Sequence, residues 1–247
     1  MNLNELARVH AATCAALVAL FLAAPLASAQ TIDTNRPGFS FTPGVVADGQ
    51  WQLESGIAWT RFDDDSKMTS LPLAEFRYGV ADQVEVFVSS LSFADSSPGG
   101  SGLVDLAVGG KVNMSDAADL TQMALLFQVS VPTGDSDFSS DSFDPSLAFV
   151  WTHAGSLPLA GTVKVSSFDG DFQFDNGLKL PFAIRDGHSA FVEWEANLPE
   201  RGGSAHYLNG GYQWLRSDRM QFDLNAGIGL NDRAADYRLG IGFSMQL

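Results

Sequence analysis

The segment YRLGIGFSMQL, residues 237–247, alternates apolar and polar side chains up to the last position of the chain. Its apolar positions are Tyr237, Leu239, Ile241, Phe243, Met245 and Leu247, and the positions between them are Arg238, Gly240, Gly242, Ser244 and Gln246. A period of two places successive side chains on opposite faces of an extended strand. The segment therefore predicts a β-strand with one apolar face and one polar face.

The same alternation recurs through the chain from residue 50 onward and predicts twelve strands. Their approximate ranges are 50–61, 70–79, 83–91, 103–114, 121–131, 146–153, 157–167, 172–182, 189–198, 205–215, 219–230 and 236–247. The segments that contain Pro72 and Pro181 show the pattern least clearly. Because proline cannot donate a hydrogen bond to a strand ladder, each proline predicts a strand start, a bulge or a strand end.

The connections between the predicted strands are of two kinds. Short turns occur at 80–82, 115–120, 154–156, 183–188 and 216–218, and longer loops rich in Asp, Ser and Gly occur at 62–69, 92–102, 132–145 and 199–204. Short turns at one end and long loops at the other, with an even number of strands, are typical of outer-membrane β-barrels. A soluble up-and-down barrel has no reason to sort its loops in this way.

The N-terminus has the features of a secretory signal peptide. An apolar run at residues 11–24 follows Arg8, and cleavage is expected after Ala29. We therefore divide the chain into a signal peptide at 1–29, a periplasmic or plug segment at 30–49, and an outer-membrane barrel at 50–247. Cleavage would remove Cys14, which is the only cysteine of the sequence. The mature chain is then predicted to contain no disulfide and no cysteine metal ligand.

The composition agrees with a membrane barrel and excludes other classes. Charged residues make up 17% of the chain, and 29 acidic against 14 basic side chains give a formal charge of −15. This acidic excess makes nucleic acid an unsuitable partner, since phosphate binding needs clustered Lys and Arg. The hydrophobic content of 45% is too high for a disordered chain. A soluble exported β-protein remains the alternative to a membrane barrel.

Polar side chains in the middle of the strands indicate which face points inward. A barrel of twelve strands is wider than its own side chains can fill, because eight strands are already just filled. Charged residues on the polar faces fit a hydrated lumen, and the candidates to line it are Glu54, Arg77, Glu85, Asp105, Lys111, Lys164, Glu193, Glu195, Asp223 and Arg238. With Lys179, these acids and bases suggest either ion-pair networks across the barrel or a solute path, and a pore would prefer cations mildly.

Two tryptophans suggest where the membrane interfaces lie. Trp51 and Trp59 are eight residues apart on the apolar face of one predicted strand. This spacing corresponds to about 26 Å along the strand, or near 20 Å of height at a tilt of about 40°, close to an apolar band of roughly 25 Å with aromatic girdles. The alternative is a pair of core tryptophans in a β-sandwich.

No catalytic or metal-binding constellation is evident in the sequence. The closest approach to one is Ser204 with His206, two residues apart and therefore on one face of a strand, with no orienting acid on that face. We predict that the protein is not an enzyme and has no metal or cofactor, and we keep an outer-membrane lipid hydrolase as a minor alternative. Four acids lie in one loop, which is either a solvated external loop or a constriction within the lumen: Asp135, Asp137, Asp141 and Asp144.

Six motifs in order resemble a bacterial family of outer-membrane transporters assigned to the MetA pathway of phenol degradation. The motifs are TNRPGFS at 34–40, GQWQLESG at 49–56, FRYGV with QVE at 76–85, DLAVGGK at 105–111, VPTGD with DPSL at 131–147, and GLND with GIGF at 229–243. The family pattern usually has Asp where this chain has Asn35 and Gly38. Together the motifs cover almost the whole predicted mature chain.

The resemblance implies an all-β transmembrane antiparallel barrel in the outer membrane of a Gram-negative bacterium. It also implies passive passage of small hydrophobic or aromatic compounds, with a non-conducting structural or assembly barrel as the alternative. The expected partners are outer-membrane lipid and lipopolysaccharide, the barrel-assembly machinery during biogenesis, and a small solute that the sequence does not name. The terminal strand at 236–247 is similar to the strand that this machinery recognises, although it ends in Leu247 rather than an aromatic residue.

Overall fold

A computed structural model describes residues 31–62, 64–116 and 118–247 of the chain. The predicted signal peptide at 1–29 and its cleavage site lie outside the described residues. Within the described part of the chain, no helix is long and apolar enough to cross a membrane.

The described chain is built from antiparallel strands. Thirteen strands are present among the described residues: β1 (Trp51–Arg61), β2 (Lys67–Ala81), β3 (Val84–Ser97), β4 (Gly100–Leu103), β5 (Leu106–Asn113), β6 (Thr121–Val131), β7 (Asp144–His153), β8 (Leu159–Phe168), β9 (Asp171–Arg185), β10 (His188–Pro199), β11 (Ala205–Ser217), β12 (Met220–Gly229) and β13 (Tyr237–Gln246).

The sheet closes on itself, because the first and last strands pair. Gln52 of β1 lies opposite Gln246 of β13, and the register continues without a shift to Arg61 opposite Tyr237. Strands β4 and β5 both pair with β3, so together they occupy a single position in the wall. The molecule is therefore a closed antiparallel barrel with twelve strand positions, which confirms the predicted fold class.

The barrel has a polar interior and an apolar exterior. Large hydrophobic side chains along the strands point outward and are exposed, as with Ile241 of β13 and Leu224 of β12. The side chains of Arg77, Lys111 and Glu193 are instead fully buried. This arrangement is the reverse of a soluble barrel and is the one that a lipid environment favours. The sorting of faces follows the period-two alternation of the sequence.

The two ends of the barrel differ in their connections. We call the end with the tight turns after β2, β9 and β11 the short-turn rim, and it also holds Trp51 and Gln246. We call the opposite end, with the connection at 132–143, the loop rim. The Trp51 ring packs on Tyr78 with centroids 4.5 Å apart, at the short-turn rim. Outward-facing Trp59 lies eight residues along β1, toward the loop rim.

The structure corrects one predicted loop, divides the predicted strand at 103–114 between β4 and β5, and explains both prolines. The predicted long loop at 92–102 is mostly strand, because β3 continues to Ser97 and β4 begins at Gly100. The Asp, Ser and Gly content concealed these strands, because a hairpin that extends beyond the membrane needs no apolar outer face. Pro72 lies at a register shift in β2. Pro181 lies past Lys179, the last residue of β9 that pairs with β8.

Candidate functional site

Residues 31–50, which we call the interior segment, run inside the barrel at its short-turn rim. The segment starts beside the turn after β11, where the Ile32 N–H donates to the Asp218 carbonyl at 2.7 Å. It ends beside the turn after β2, where the Gly49 N–H donates to the Gly79 carbonyl at 2.9 Å. Between these two points its backbone is bound by side chains that project inward from the wall.

A buried cluster around Arg77 forms the first set of contacts. The Arg77 guanidinium contacts Glu54 Oε1 at 2.7 Å and Glu85 Oε2 at 2.8 Å, and Lys111 Nζ lies 3.3 Å from Glu85 Oε1. All four side chains are essentially inaccessible to solvent. Buried charges are tolerated only where partners satisfy them, so this cluster joins β1, β2, β3 and β5 into one network.

The same four side chains also bind the backbone of the interior segment. Glu54 accepts the N–H groups of Asn35 and Arg36, each at 3.0 Å. Lys111 Nζ donates to the Gly44 carbonyl at 2.9 Å. Further contacts of this cluster with the segment are those of Arg77 with the Asp33 carbonyl, Glu85 with the Val46 N–H and Lys111 with Asn35 Oδ1. A segment without a strand partner thus has its backbone groups satisfied by wall side chains.

One acid of the segment faces the same cluster. Burial raises the pKa of Asp33 above its ordinary value, and the nearby Lys111 ammonium opposes this shift. The Asp33 side chain accepts a hydrogen bond from the Thr42 hydroxyl at 3.0 Å. The hydrogen bond therefore joins two parts of the interior segment that are nine residues apart in sequence.

A second binding point lies across the barrel, on β9 and β10. Glu193 accepts the N–H groups of Phe39 and Ser40 at 2.8 and 2.7 Å. Lys179 Nζ donates to the carbonyls of Pro37 and Ser40 at 3.2 and 2.8 Å. The carboxylate and the ammonium are 3.8 Å apart. This pair therefore binds N–H and C=O groups of one turn of the segment.

Glycines in the segment and in the wall allow the close approach of the two. Gly38 has a φ of +99°, and a Cβ there would lie 2.8 Å from Glu193 Oε2. A Cβ at Gly177 of β9 would lie 2.6 Å from the Ser40 hydroxyl oxygen. A side chain at either position would therefore displace the turn that Glu193 binds.

The remaining contacts of the segment combine an ion pair with apolar packing. The Arg36 guanidinium lies 3.1 Å from Asp223 Oδ1. Phe41 packs against a small apolar cluster of the wall, formed by Phe87, Leu126, Ala148 and Val150. The wall thus provides both charged and apolar partners for the segment.

Nearer the loop rim, charged side chains pair mainly with each other. Lys164 Nζ lies 3.0 Å from Asp175 Oδ2, and Arg238 contacts Glu195 at 2.5 Å. The Arg238 guanidinium also lies 3.7 Å from the centre of the Tyr207 ring. The Lys164 and Arg238 side chains are 27% and 29% exposed, whereas that of Arg77 is fully buried. In this half of the interior the two bases are therefore partly accessible to water, whereas their partners Asp175 and Glu195 are buried.

The loop at 132–143 is fastened by an acid at the junction of β4 and β5. Asp105 accepts the N–H groups of Thr133 and Gly134 through one oxygen, and the Ser139 hydroxyl and Ser140 N–H through the other. Of the ten residues predicted to line the lumen, Asp105 thus binds this loop. Each of the other nine takes part in one of the ion pairs described above.

The four acids of this loop region are held by separate partners or are exposed. Asp135 accepts the Leu103 N–H at 2.8 Å, and buried Asp144 accepts the Asp169 N–H at 3.1 Å. Asp137 and Asp141 are exposed. In the part of the chain that the structure describes, no three His, Cys, Asp or Glu side chains are placed to hold a metal ion.

The Ser204–His206 pair has one feature of a hydrolytic site. The Ser204 hydroxyl lies 3.0 Å from His206 Nε2. Asn231 lies nearby, but its side chain binds the backbone, accepting the His206 N–H at 3.1 Å and donating to the Ser204 carbonyl at 2.6 Å. The carboxamide therefore orders the chain at the loop rim rather than orienting the imidazole.

Sequence reasoning identified the wall charges and named 30–49 as a periplasmic or plug segment, but it did not identify the residues through which the two are joined. The residues that it did not single out are Asp33, Asn35, Arg36, Glu75, Thr162, Asp175 and Asn209, which all contact the interior network. Asp175 could have been found from the alternation in β9. The partners in the segment could not, because irregular chain has no periodicity that reports which way a side chain points.

Comparison with known sequences identifies a family. A family model described as "Putative MetA-pathway of phenol degradation" matches residues 34–247. No curated protein matches the chain.

Solved structures with a similar fold include channels and an autotransporter translocator domain. The COG4313 outer membrane channel from Pseudomonas putida F1 has a TM-score of 0.62 at 14% identity, covering 83% of this chain and 98% of that one. The KdgM porin has a TM-score of 0.54 at 8% identity, covering 78% and 98%. The translocator domain of the autotransporter NalP from Neisseria meningitidis has 0.53 at 10% identity, covering 81% and 89%. At these identities the likeness establishes the outer-membrane barrel fold alone.

Proposed function

This chain belongs to the family of the MetA pathway of phenol degradation, and from that premise we propose that it is an outer-membrane channel for small hydrophobic or aromatic molecules. In this proposal solutes pass by diffusion, and the interior segment closes the barrel at rest. The observation that carries the proposal is the filling of the interior by a separate chain segment, which hydrogen bonds and ion pairs hold in place. In this proposal the segment is displaced while the pairing between strands keeps the wall closed.

Aromatic rings in the interior support the proposed solute class. Lys179 Nζ lies 4.5 Å from the Phe191 ring centre, Lys164 Nζ lies 5.7 Å from that of Phe39, and Arg238 lies over Tyr207. Aromatic solutes stack on such rings and on guanidinium planes, so these cation–ring pairs offer binding positions along the path. The proposal contains no catalytic step.

A structural or assembly barrel that does not conduct is the second candidate. It is supported by the same segment, because a permanently seated segment would keep the barrel closed. For both candidates we propose that the apolar outer band contacts outer-membrane lipid and lipopolysaccharide. We also propose that β13 is recognised by the barrel-assembly machinery.

Single-channel recording in planar bilayers separates the two candidates. We expect removal of residues 33–44 to raise the conductance at least about fivefold, because the interior of a twelve-stranded barrel is wider than its side chains fill. Faster migration of unboiled than of boiled protein on a detergent gel checks that the shortened chain still forms a barrel. Absence of conductance in both the shortened and the full chain, both folded by this criterion, would support the non-conducting barrel. Equal and measurable conductance in both would overturn closure of the barrel by the interior segment.

A further inference from the structure

The turn of the interior segment that Glu193 binds carries an aromatic ring. The Phe39 side chain lies on Gly177 of β9, where a Cβ would be 2.7 Å from Phe39 Cδ1. The glycine therefore leaves room for the ring against the wall. Gly38 is exposed and Phe39 is half-buried, so part of this turn remains accessible from the interior of the barrel.

A base of β8 lies beside this ring, on the side of the loop rim. Lys164 Nζ is 5.7 Å from the centre of the Phe39 ring. Thr162 is opposite Gly177 in the register of β8 and β9. Lys164, two residues further toward the loop rim, is opposite Asp175. Its only ion-pair partner among the described residues is Asp175, 3.0 Å away, and since an ammonium group has three hydrogens to donate, Lys164 can bind a second acceptor.

A second base lies on the other side of the Phe39 ring. Glu195 of β10 is opposite Gly177 of β9 and also opposite Tyr207 of β11. Arg238 pairs with Glu195 and lies over the Tyr207 ring, with 3.7 Å between the guanidinium carbon and the ring centre. Two bases therefore flank the ring that lies on Gly177.

The charged atoms that a solute can reach beside this ring belong to the bases. The side chains of Lys164 and Arg238 are 27% and 29% exposed, whereas those of their partners Asp175 and Glu195 are 0% and 4% exposed. Side-chain amides of β9, β10 and β11 also donate to these two acids, at 2.6 to 3.0 Å. The acids are thus occupied by bases and amides, and the surface presented to a solute is locally positive although the whole chain is acidic.

We propose that Phe39, Lys164 and Arg238 form a binding site for an aromatic carboxylate, which we call the ring site. The ring of the solute stacks on Phe39, and its carboxylate accepts a hydrogen bond from Lys164. Arg238 adds a second positive charge beside the bound anion. The inference names the solute class of the proposed channel and therefore rests on that function.

The charges of the ring site select among aromatic solutes. An aromatic cation would meet two bases with no accessible acid beside them, and a neutral aromatic alcohol would gain stacking without a charge-assisted hydrogen bond. This selection acts at contact distance. It is therefore separate from the mild cation preference that the acidic excess of the whole chain predicts for small ions.

The solute class is tested by binding to the folded full chain. Three fluorescent probes with one ring system, 2-naphthoate, 2-naphthylmethanol and 2-naphthylmethylamine, are titrated at neutral pH with the protein in neutral detergent micelles. Fluorescence anisotropy, with empty micelles subtracted, gives the affinities. We expect the carboxylate to bind at least about tenfold more tightly than the alcohol or the amine, because hydrogen bonds between charged groups are the stronger ones. Equal affinity for the carboxylate and the alcohol would overturn the ring site.

Substitutions of lysine test the base. Lys164→Met removes the ammonium group and Lys164→Arg keeps its charge, while Lys67→Met is the control, at an exposed base that begins β2 at the loop rim. We expect Lys164→Met to weaken 2-naphthoate binding at least about tenfold and the other two variants to stay within about twofold of the wild type. Gel migration of unboiled protein confirms that each variant is folded. Equal weakening by Lys164→Met and Lys67→Met would mean that the overall charge decides binding, which overturns the site.

Phe39→Leu tests the ring. Decahydro-2-naphthoate, the saturated counterpart of the probe, competes for the site without an aromatic face. We expect the wild type to prefer the aromatic acid about three- to tenfold and Phe39→Leu to lose this preference, because stacking is the only difference between the two acids. The same preference in both proteins would remove Phe39 from the site.

Seating of the interior segment gives an independent measurement. The ring belongs to the segment and Lys164 to the wall, so a bound solute joins the two and stabilises the seated state. In a Ser40→Cys chain we expect saturating 2-naphthoate to slow labelling by a polar maleimide at least about twofold and 2-naphthylmethylamine to leave the rate unchanged. Faster labelling with 2-naphthoate would contradict binding to the seated segment.

The outcomes separate this inference from the proposed channel. Ion conductance without a preference for the carboxylate probe would leave the channel standing and overturn the ring site. Selective binding of the carboxylate, with no conductance by the full chain or by the chain lacking residues 33–44, would overturn the channel function and with it the assignment of the ring site to a transported solute.

Discussion

The two halves of the interior carry similar charged residues but use them differently. Near the short-turn rim, Arg77, Glu54, Glu85 and Lys111 are buried and bind the backbone of the interior segment. Near the loop rim, Arg238 is 29% exposed, although its partner Glu195 is buried. The comparison shows that charged residues on the inner faces of the strands form ion pairs in both halves. The interior segment excludes water from these pairs only in the half near the short-turn rim.

Burial changes how much the loss of one partner of an ion pair lowers the free energy of unfolding. A charge without a partner is very costly in a dry interior, whereas water compensates for a lost partner at an accessible site. The segment and the buried charges therefore depend on each other, since each supplies partners that the other lacks. Three experiments test this difference between the two halves.

The largest expected effect is on the stability of the wall. Arg77→Met leaves Glu54 and Glu85 buried without their guanidinium partner, so we expect it to lower the free energy of unfolding by about 3–5 kcal/mol. Arg238→Met is the comparison variant near the loop rim and should cost less, because the Arg238 side chain is 29% exposed and Glu195 keeps its hydrogen bond from Asn209. Urea unfolding in lipid vesicles, followed by tryptophan fluorescence, measures both. Equal losses for the two variants would contradict the proposed difference in burial.

A smaller effect is expected on the seating of the segment. Glu193→Gln weakens the two hydrogen bonds to the N–H groups of Phe39 and Ser40. In a Ser40→Cys background we expect labelling by a polar maleimide to become about tenfold faster, because bonds to charged groups contribute about 1.5–3 kcal/mol each.

Glu195→Gln serves as the control for this labelling experiment. Glu195 pairs with Arg238 and with Asn209, which also contacts Glu193 at 3.4 Å. Because the contacts of Glu195 are with the wall rather than with the backbone of the interior segment, we expect a labelling rate close to that of the Ser40→Cys parent. Equal acceleration by both glutamine variants would show that the segment responds to the overall charge of the barrel rather than to Glu193.

The smallest expected effect is on ion selectivity. The acidic excess of the chain predicts a mild cation preference for an open barrel, and Glu195→Gln removes one negative charge from the interior near the loop rim. We expect the reversal potential in a salt gradient to shift toward zero by a few millivolts, corresponding to less than about a twofold change in permeability ratio. A wild-type reversal potential that favours anions would contradict the predicted preference.

Much of the wall could be predicted because alternation is a local property. The predicted strand at 121–131 coincides with β6, and the terminal segment at 236–247 contains β13. The prediction failed at 92–102, where the hairpin of β3 and β4 has the composition of a loop. Outside the membrane the outer face of a strand need not be apolar, so the pattern that reveals strands fades there.

The sequence alone determined that strands of alternating polarity form the wall and that charges such as Arg77 and Glu193 point inward. Only the tertiary structure decided which charges are dry, because burial of the Arg77 cluster depends on residues 31–50 folding into the barrel. It also decided where the wall is irregular, because the register between β1, β2 and β3 depends on pairing between segments distant in sequence. The period of a strand is set by its own backbone, whereas the filling of the interior and the register of the wall are set by contacts across the barrel.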